Sequence, residues 1–489
     1  MSKPTTAALP AATADHEAPP GPGTRLEAQA SAARPDVVES GSASIASWWT
    51  LAVLLMLGLY SVADRPMVSL QVEALRKDLM LSDFQVGLVQ GVSVAIFAAV
   101  VGYPLAWLAD RFDRRYVLAG SVAVWAGALA LSAFSRSFEQ MFFFNALVGA
   151  GEACLVPISL ALVAELFRGG QRHLANSIMM VGGRLGLGLV IALCGWLIMA
   201  VDTWRHLLPA DLQSLATWRL SMLALALPGA VFVPLVLLLP KPPPSIPPGL
   251  GWPMVKAPSA AAGSAGSHSV RRFLRENARF FACFYFGMAM LIMGIACVKA
   301  FAPVVAMRQM GASASQAGNG IGSATLVATV VGFLIAQVAY RRLAPRFGPQ
   351  VSVTCMVVAV IIGALVMLCL PLVQTPMQLY VVVGVFLAVI LAGTLLWPTV
   401  LQEVTPAPIR TQLAAITVTM NIVIGSLGPA IVGLVSDQLK GRPGGLQLAI
   451  AGSAFVALAV SALLLWPAAS RYTATMAAAR AEERQGAPV

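Results

Sequence analysis

The sequence predicts an all-α polytopic membrane protein with twelve transmembrane helices in two six-helix halves. Hydrophobic residues make up 58% of the 489 residues and charged residues only 11%, which is too apolar for a globular surface facing water. About twelve apolar runs are long enough to cross a hydrocarbon layer about 30 Å thick. A Pro-, Gly- and Ser-rich stretch separates the sixth run from the seventh, which divides the chain into six plus six.

The apolar runs give the predicted spans, since a helix rises about 1.5 Å per residue. In the first half they are residues 47–72, 84–109, 116–135, 139–165, 174–201 and 218–239. In the second half they are residues 277–305, 314–340, 350–371, 377–402, 411–436 and 446–467. Ser82 and Gln85 form a capping-box pattern, which predicts the start of the second helix.

The segments outside the spans define the remaining domains. Residues 1–44 are rich in Ala, Pro, Thr and Gly and are predicted to be a disordered cytoplasmic tail. The first half then covers 45–240, and a cytoplasmic linker loop covers 241–275, where prolines favour extended conformations. The second half covers 276–468, and 469–489 form a cytoplasmic C-terminal tail.

The positive charges sort by side of the membrane. With a cytoplasmic N-terminus, 15 Lys and Arg residues fall on the inner connections between spans and 8 on the outer ones. This bias follows the positive-inside rule and predicts that both termini are cytoplasmic. The orientation in the membrane therefore explains the net charge of +11, and no nucleic-acid partner is predicted. The Ala- and Arg-rich composition and the lack of a targeting peptide favour a bacterial inner membrane. The protein is expected to be a monomer in the lipid bilayer.

Neither a cofactor nor a metal site is predicted. All six cysteines fall inside predicted helices without CxxC spacing, so packing explains them. No phosphate-binding Gly-rich loop is present, which argues against ATP hydrolysis. The four histidines lie far apart in tails and loops, so a membrane-embedded enzyme with a catalytic cluster is disfavoured.

The loop after the second span, "GYPLAWLADRFDRRYVL", carries a charged cluster of Asp110, Arg111, Arg114 and Arg115. A carboxylate at this position can pair with an arginine or cap a neighbouring helix and so clamp helix ends together. We predict that these residues form a cytoplasmic gate. A solvated basic loop that obeys the positive-inside rule is the alternative.

This loop resembles the signature loop of the major facilitator superfamily, although Asp113 stands where that family usually has Gly or Asn. The equivalent loop of the second half, "AQVAYRRLAPRFG", has Tyr340 in place of the Asp. The stretches "YSVADRPMVSLQVEALRKDLMLSDFQVGLVQG", "VGAGEACLVPISLALVAELF" and "TPAPIRTQLAAITVTMNIVIGSLGPAIVGLVSD" are similar to the Spinster-like branch. The resemblance implies a transporter of amphiphilic lipids such as lysophospholipids, with a cavity lined by the first and fourth helices of each half.

Glu152 is the one charged residue in the apolar stretch "GAGEACLVP". It lies roughly 20 Å into the fourth span, and Asp64 and Arg65 lie about 24 Å into the antiparallel first span. Burial favours the neutral form of a carboxyl group and a neighbouring guanidinium favours the charged form. We therefore expect Glu152 to carry a proton, with Arg65 as its partner and possible anion ligand and Asp64 as a gating or secondary proton site. A static pair that fixes helix register is the alternative.

Three residues depart from the Spinster-like pattern. Asn145 stands where the fourth helix usually has an Arg, while Arg184 and Lys299 add cations to the fifth and seventh spans. Either Arg184 supplies the charge that Asn145 lacks, or Arg184 and Lys299 face the cavity and bind an acidic headgroup. For Lys299, reaching to the outer surface is the alternative.

The predicted function is secondary active transport by alternating access, coupled to protons, of an amphiphilic or anionic small molecule such as a lysolipid. Arg65, Glu152, Arg184 and Lys299 are the expected substrate-binding residues, and no catalytic residue is expected. A general drug or organic-acid transporter of the same fold is the first alternative. A membrane receptor that does not transport is an alternative of another class.

Overall fold

The predicted all-helical architecture is confirmed. The computed structural model describes residues 44–167, 169–240, 272–406 and 409–485. These residues contain twelve helical stretches long and apolar enough to cross a membrane. Residues 1–43 of the predicted tail and 241–271 of the predicted linker lie outside the described residues.

The described residues of the first half contain eleven α-helices, and several of its spans are broken into two. They are α1 (Ile45–Tyr60), α2 (Asp64–Leu70), α3 (Val72–Asp78), α4 (Asp83–Gly87), α5 (Ser93–Arg111), α6 (Arg114–Ser132), α7 (Phe138–Glu152), α8 (Leu155–Leu166), α9 (Gly169–Thr203), α10 (Ala210–Gln213) and α11 (Thr217–Leu237). A π-helical segment, Leu88–Val92, joins α4 to α5 in the second span. The first span is made of α1 and α2, and the fourth of α7 and α8.

The second half repeats this arrangement with fewer breaks. Its helices are α12 (Ala278–Met310), α13 (Ala314–Phe347), α14 (Val351–Met367), α15 (Pro376–Thr394), α16 (Trp397–Glu403), α17 (Arg410–Gly425), α18 (Leu427–Gln438) and α19 (Gly445–Gln485). Its last helix runs well past the predicted end of the twelfth span at residue 467, into the predicted tail.

Capping boxes mark the start of the second helix in both halves. The Ser82 side chain accepts from the Gln85 N–H while the Gln85 side chain accepts from the Ser82 N–H, as predicted. Ser313 and Gln316 form the same pair at the start of α13, the second span of the second half. The repeated cap supports the division of the chain into two similar halves.

The two halves meet at close backbone contacts. A Cβ atom on Gly87 of α4 would lie 2.3 Å from the carbonyl oxygen of Pro429 in α18. One on Gly188 of α9 would lie 2.6 Å from the carbonyl oxygen of Gly322 in α13. The second span therefore packs on the eleventh and the fifth on the eighth, where only glycine permits this approach.

The breaks in the first and fourth spans position the charged residues. The first span is interrupted at Ser61–Ala63, directly before Asp64, and α7 ends at Glu152. We call the side of the membrane where Ile45 lies the terminal side and the opposite one the far side. Each helix break thus lies inside the membrane, at the level of a charged side chain.

Candidate functional site

A central cavity lies between the two halves and consists of two adjoining chambers. The far chamber has a volume of about 350 Å³ and reaches Leu70 and Ala302. The near chamber, closer to the terminal side, has about 230 Å³ and reaches Trp397. Both chambers are lined by Lys299, among other residues, so they adjoin each other. A larger groove of about 870 Å³ between α6, α9 and α11 is lined by uncharged residues and lies apart from the charged groups.

The structure brings Arg65 and Glu152 together. The Arg65 Nη2 lies 3.2 Å from the Glu152 Oε2 and donates a hydrogen bond to it. The Arg65 side chain is 48% exposed and lines the far chamber, whereas the Glu152 side chain is only 13% exposed. The pair therefore joins the first span to the fourth, with the cation facing the cavity and the acid set behind it.

Asp64 directly precedes Arg65 in the chain and is buried. Its Oδ1 and the Oε1 of Glu152 have no hydrogen-bond partner among the described residues. The Arg65 guanidinium thus pairs with Glu152, whereas the Asp64 carboxyl forms no ion pair with any described residue. Such a group can hold either one proton or an added cation, because an unpaired carboxylate is costly in a site shielded from water.

Arg184 and Lys299 both border the cavity. Arg184 lines the near chamber, and Lys299 lies between the two chambers. Neither residue forms an ion pair with any acid in the part of the chain that the structure describes. Lys299 thus faces the centre of the molecule and not the outer surface.

Asn145 does not take part in the cavity. It is buried, and its Nδ2 donates to the carbonyl oxygen of Met141, 2.9 Å away in the same helix. Its amide is therefore satisfied within α7. The cations at the site come from the first, fifth and seventh spans.

The predicted cytoplasmic gate residues make contacts inside the first half. Arg114 pairs with Glu165 at the end of α8. Arg115 pairs with Asp113 at 2.6 Å and donates to the carbonyl oxygen of Leu239 at 2.7 Å. The departure at Asp113 thus has a structural role, since this side chain also caps α6 through the Arg115 N–H.

The remaining two residues of the predicted gate are Arg111 and Asp110. The Arg111 guanidinium stacks on the ring of Trp107 at 3.9 Å and is exposed. The side chain of Asp110 lies outside the described part of the structure. The contacts found for this cluster hold the third, fourth and sixth spans together on the terminal side.

Sequence reasoning missed a polar cluster on the far side, which we call the far-side network. Its centre is Asp83, which is 1% exposed and receives two hydrogen bonds from Arg308, at 2.8 and 2.9 Å. Arg308 also binds Glu73 at 2.6 Å, and the Ser436 hydroxyl donates to Asp83 at 2.7 Å. Asp437 accepts the backbone N–H groups of Asp83 and Phe84.

The far-side network joins the two halves. Glu73 and Asp83 belong to the first half, whereas Arg308, Ser436 and Asp437 belong to the second. The Ser69 hydroxyl adds a bond of 2.6 Å to the carbonyl oxygen of Ala300. The far side is therefore closed by charge-assisted bonds, and the cavity extends from it toward the terminal side.

Two amide side chains at the cavity were also missed. Gln90 lines the far chamber and Asn421 the near chamber. Among the described residues, the Nε2 of Gln90 and the Oδ1 of Asn421 are buried without a hydrogen-bond partner. Single polar residues inside apolar runs were the available signal.

Comparison with known proteins places the chain in a family. Residues 48–429 match the model of the Major Facilitator Superfamily. An MFS-type efflux pump of Mycolicibacterium smegmatis is 28% identical over 433 residues, covering 87% of this chain and 93% of that protein. Protein spinster homolog 1 of Xenopus laevis is 24% identical over 417 residues, covering 80% and 73%. Protein spinster homolog 3 of Danio rerio is 30% identical, but the match spans only 37% of its length and 40% of this chain.

A solved structure gives the same result for the fold. It is the crystal structure of a bacterial homolog to the human lysosomal transporter Spinster, in an inward-facing and unoccupied conformation. It superposes with a TM-score of 0.69 at 19% identity, over 89% of this chain and 98% of that one. Fold and family indicate a transporter rather than an enzyme. This integral membrane protein belongs to the Major Facilitator Superfamily and, within it, is similar to the Spinster proteins.

Proposed function

We propose that this chain is a proton-coupled secondary active transporter that moves an amphiphilic or anionic small molecule, such as a lysolipid, by alternating access. The Arg65–Glu152 pair carries the proposal, because it places an acid and its counter-cation at the wall of a central cavity. In the proposed orientation both termini are cytoplasmic, in a bacterial inner membrane, and the transporter works as a monomer.

Coupling follows from competition for Arg65. When an anionic substrate enters the cavity and binds Arg65, the guanidinium is drawn away from Glu152. The buried carboxylate then lacks its counter-cation and takes up a proton. A proton that moves with a singly charged anion carries no net charge across the membrane, so the pH gradient drives accumulation, at about 1.4 kcal/mol per pH unit. Asp64, beside Arg65, serves as the gating or secondary proton site.

The cavity chemistry favours an anionic amphiphile. Arg65, Lys299 and Arg184 supply three cations, and apolar side chains such as Ile292, Ile295 and Leu387 form much of the wall between them. An oxyanion headgroup can bind the cations while an apolar tail contacts the wall. A lysolipid is also the substrate class that the sequence resemblance to the Spinster-like branch implies.

A general exporter of drugs or organic acids is the second candidate. The relative in Mycolicibacterium smegmatis, which matches 87% of this chain, is named an efflux pump. A generalist would bind apolar cations and neutral compounds as well as anions. Substrate charge therefore distinguishes the two candidates.

The test combines binding and transport. Candidate solutes are screened for thermal stabilisation of the purified protein, and compounds that stabilise it are followed in liposomes with and without a pH gradient. We expect accumulation of an anionic amphiphile that depends on the gradient. Binding without any flux would instead identify a receptor. Flux that does not depend on the pH gradient would show that transport is not coupled to protons.

We expect Arg184→Gln and Lys299→Gln each to weaken binding of the anionic substrate by about tenfold or more, because each removes a charge-assisted hydrogen bond. Binding of a neutral analogue is expected to stay unchanged. Titration of the purified variants measures both values. Arg172→Gln is the matched control, since Arg172 lies on the same helix as Arg184 but is exposed outside the cavity. Equal affinity for the anion in wild type and both cavity variants would remove these residues from the site.

A further inference from the structure

The second span contains a π-helical turn at the cavity. The segment Leu88–Val92 follows α4, and the Ser93 N–H donates to the carbonyl oxygen of Leu88, five residues earlier. Such turns insert a residue into the helix, are rare, and are often found at functional sites. This turn carries Gln90.

Gln90 is buried and faces the far chamber. It is 9% exposed and lines that chamber together with Arg65, Lys299 and Pro429. Its Nε2 has no hydrogen-bond partner among the described residues. An unsatisfied buried donor costs about 1–3 kcal/mol, and Gln90 lies about 10 Å inside the span that begins at Asp83, where lipid offers no partner.

The surroundings of Gln90 define the group that would satisfy it. The charged side chains that line the far chamber are Arg65 and Lys299, both of them donors, and no acidic residue is among the described residues that line it. Three donors that converge on one chamber require an acceptor with several oxygens and negative charge. An oxyanion meets this requirement. An ammonium or guanidinium group has only donors and would find no acceptor among the charged side chains that line this chamber.

We propose that Gln90 is a specificity-determining residue that donates a hydrogen bond to the oxyanion headgroup of the substrate, held in the far chamber between Arg65 and Lys299. This inference rests on the proposed function and adds to it the donor and the place of the headgroup. Gln90 lies where the second span meets Pro429 of the eleventh, so its bond to the substrate is made at the contact between the halves.

The test measures binding of three probes to the purified full-length protein: hexyl phosphate, inorganic phosphate and hexyltrimethylammonium. We expect Gln90→Leu to weaken binding of hexyl phosphate by about tenfold or more, since one bond to a charged acceptor is lost. Gln90→Glu is expected to weaken it further and to strengthen binding of hexyltrimethylammonium. Inorganic phosphate shows whether the headgroup alone suffices or the apolar wall contributes.

Gln71→Leu is the matched control. Gln71 is a buried glutamine in the same half, its Nε2 contacts the Sδ of Met67 at 3.0 Å, and it does not line the cavity. We expect this variant to bind hexyl phosphate like the wild type.

Three outcomes would overturn the inference. If Gln90→Leu and Gln90→Glu bind hexyl phosphate as tightly as the wild type, Gln90 does not contact the headgroup, while the proposed function stands. If the wild type binds neither phosphate probe, the anion site and the anionic substrate class of the proposed function fall together. If Gln90→Leu and Gln90→Glu weaken binding of hexyl phosphate equally, and Gln90→Glu does not strengthen binding of hexyltrimethylammonium, Gln90 acts only through packing.

Discussion

Glu152→Gln is expected to abolish accumulation driven by a pH gradient while leaving exchange of substrate across the membrane intact. Glutamine keeps the shape and one hydrogen-bonding oxygen of the protonated acid but cannot release a proton. A gradient of one pH unit supplies about 1.4 kcal/mol per proton, so a carrier of one proton can accumulate substrate about tenfold. In the variant the ratio of substrate concentration inside to outside should fall to one. Uptake of labelled substrate into liposomes with an imposed pH gradient measures it.

The control is Glu139→Gln, because Glu139 lies on α7 like Glu152 but is exposed at the far-side start of that helix. It should accumulate substrate like the wild type. A static Arg65–Glu152 pair predicts a different pattern, in which exchange and driven uptake fall together and the protein unfolds at a lower temperature. Intact accumulation by Glu152→Gln would show that another group carries the proton.

The sequence predicted the Arg65–Glu152 pair for a physical reason. Charged residues are rare in membrane helices, and each one needs a partner or water. Only a few charges lie deep in the apolar runs of the first half, and helix rise alone placed Glu152 and Arg65 at compatible depths. The same scarcity singled out Arg184 and Lys299. The number of spans and their order were predictable because hydrocarbon thickness fixes the length of each one.

The far-side network and Gln90 were not predictable in this way. Asp83 is 225 residues from Arg308 and 353 residues from Ser436, and both partners lie in the other half. Nothing local in the sequence indicates such pairs. The Ser82–Gln85 pattern was interpreted only as a helix cap, although Asp83 within it bonds to the second half. The π-helical turn that carries Gln90 has no sequence signature, and it changes which residues share a face of the helix.

The far-side network suggests a second large effect. We expect Arg308→Ala to shift the protein toward a conformation open on the far side. Removing this side chain leaves Asp83, which is 1% exposed, with a buried charge and no cation within the network. Breaking a buried ion pair in this way costs about 3–5 kcal/mol. If the cost falls mainly on the closed state, the balance between the two states changes by about two to nearly four orders of magnitude.

Labelling with a membrane-impermeant thiol reagent added on the far side measures the shift. Ala302→Cys provides the reporter, because Ala302 lines the far chamber and is 2% exposed behind the closed network. The protein without the Ala302→Cys substitution gives the background labelling of the native cysteines. We expect at least tenfold faster labelling of the reporter when Arg308 is replaced by alanine.

Arg76→Gln is the control, since Arg76 contacts Glu73 at 3.7 Å within the first half and does not bridge the halves. Asp437→Asn is an independent second variant. It weakens the bonds to the N–H groups of Asp83 and Phe84, and it should raise labelling in the same direction but less than Arg308→Ala. If Arg308→Ala lowers the unfolding temperature without raising the labelling rate, the network stabilises the fold and does not hold the far side closed.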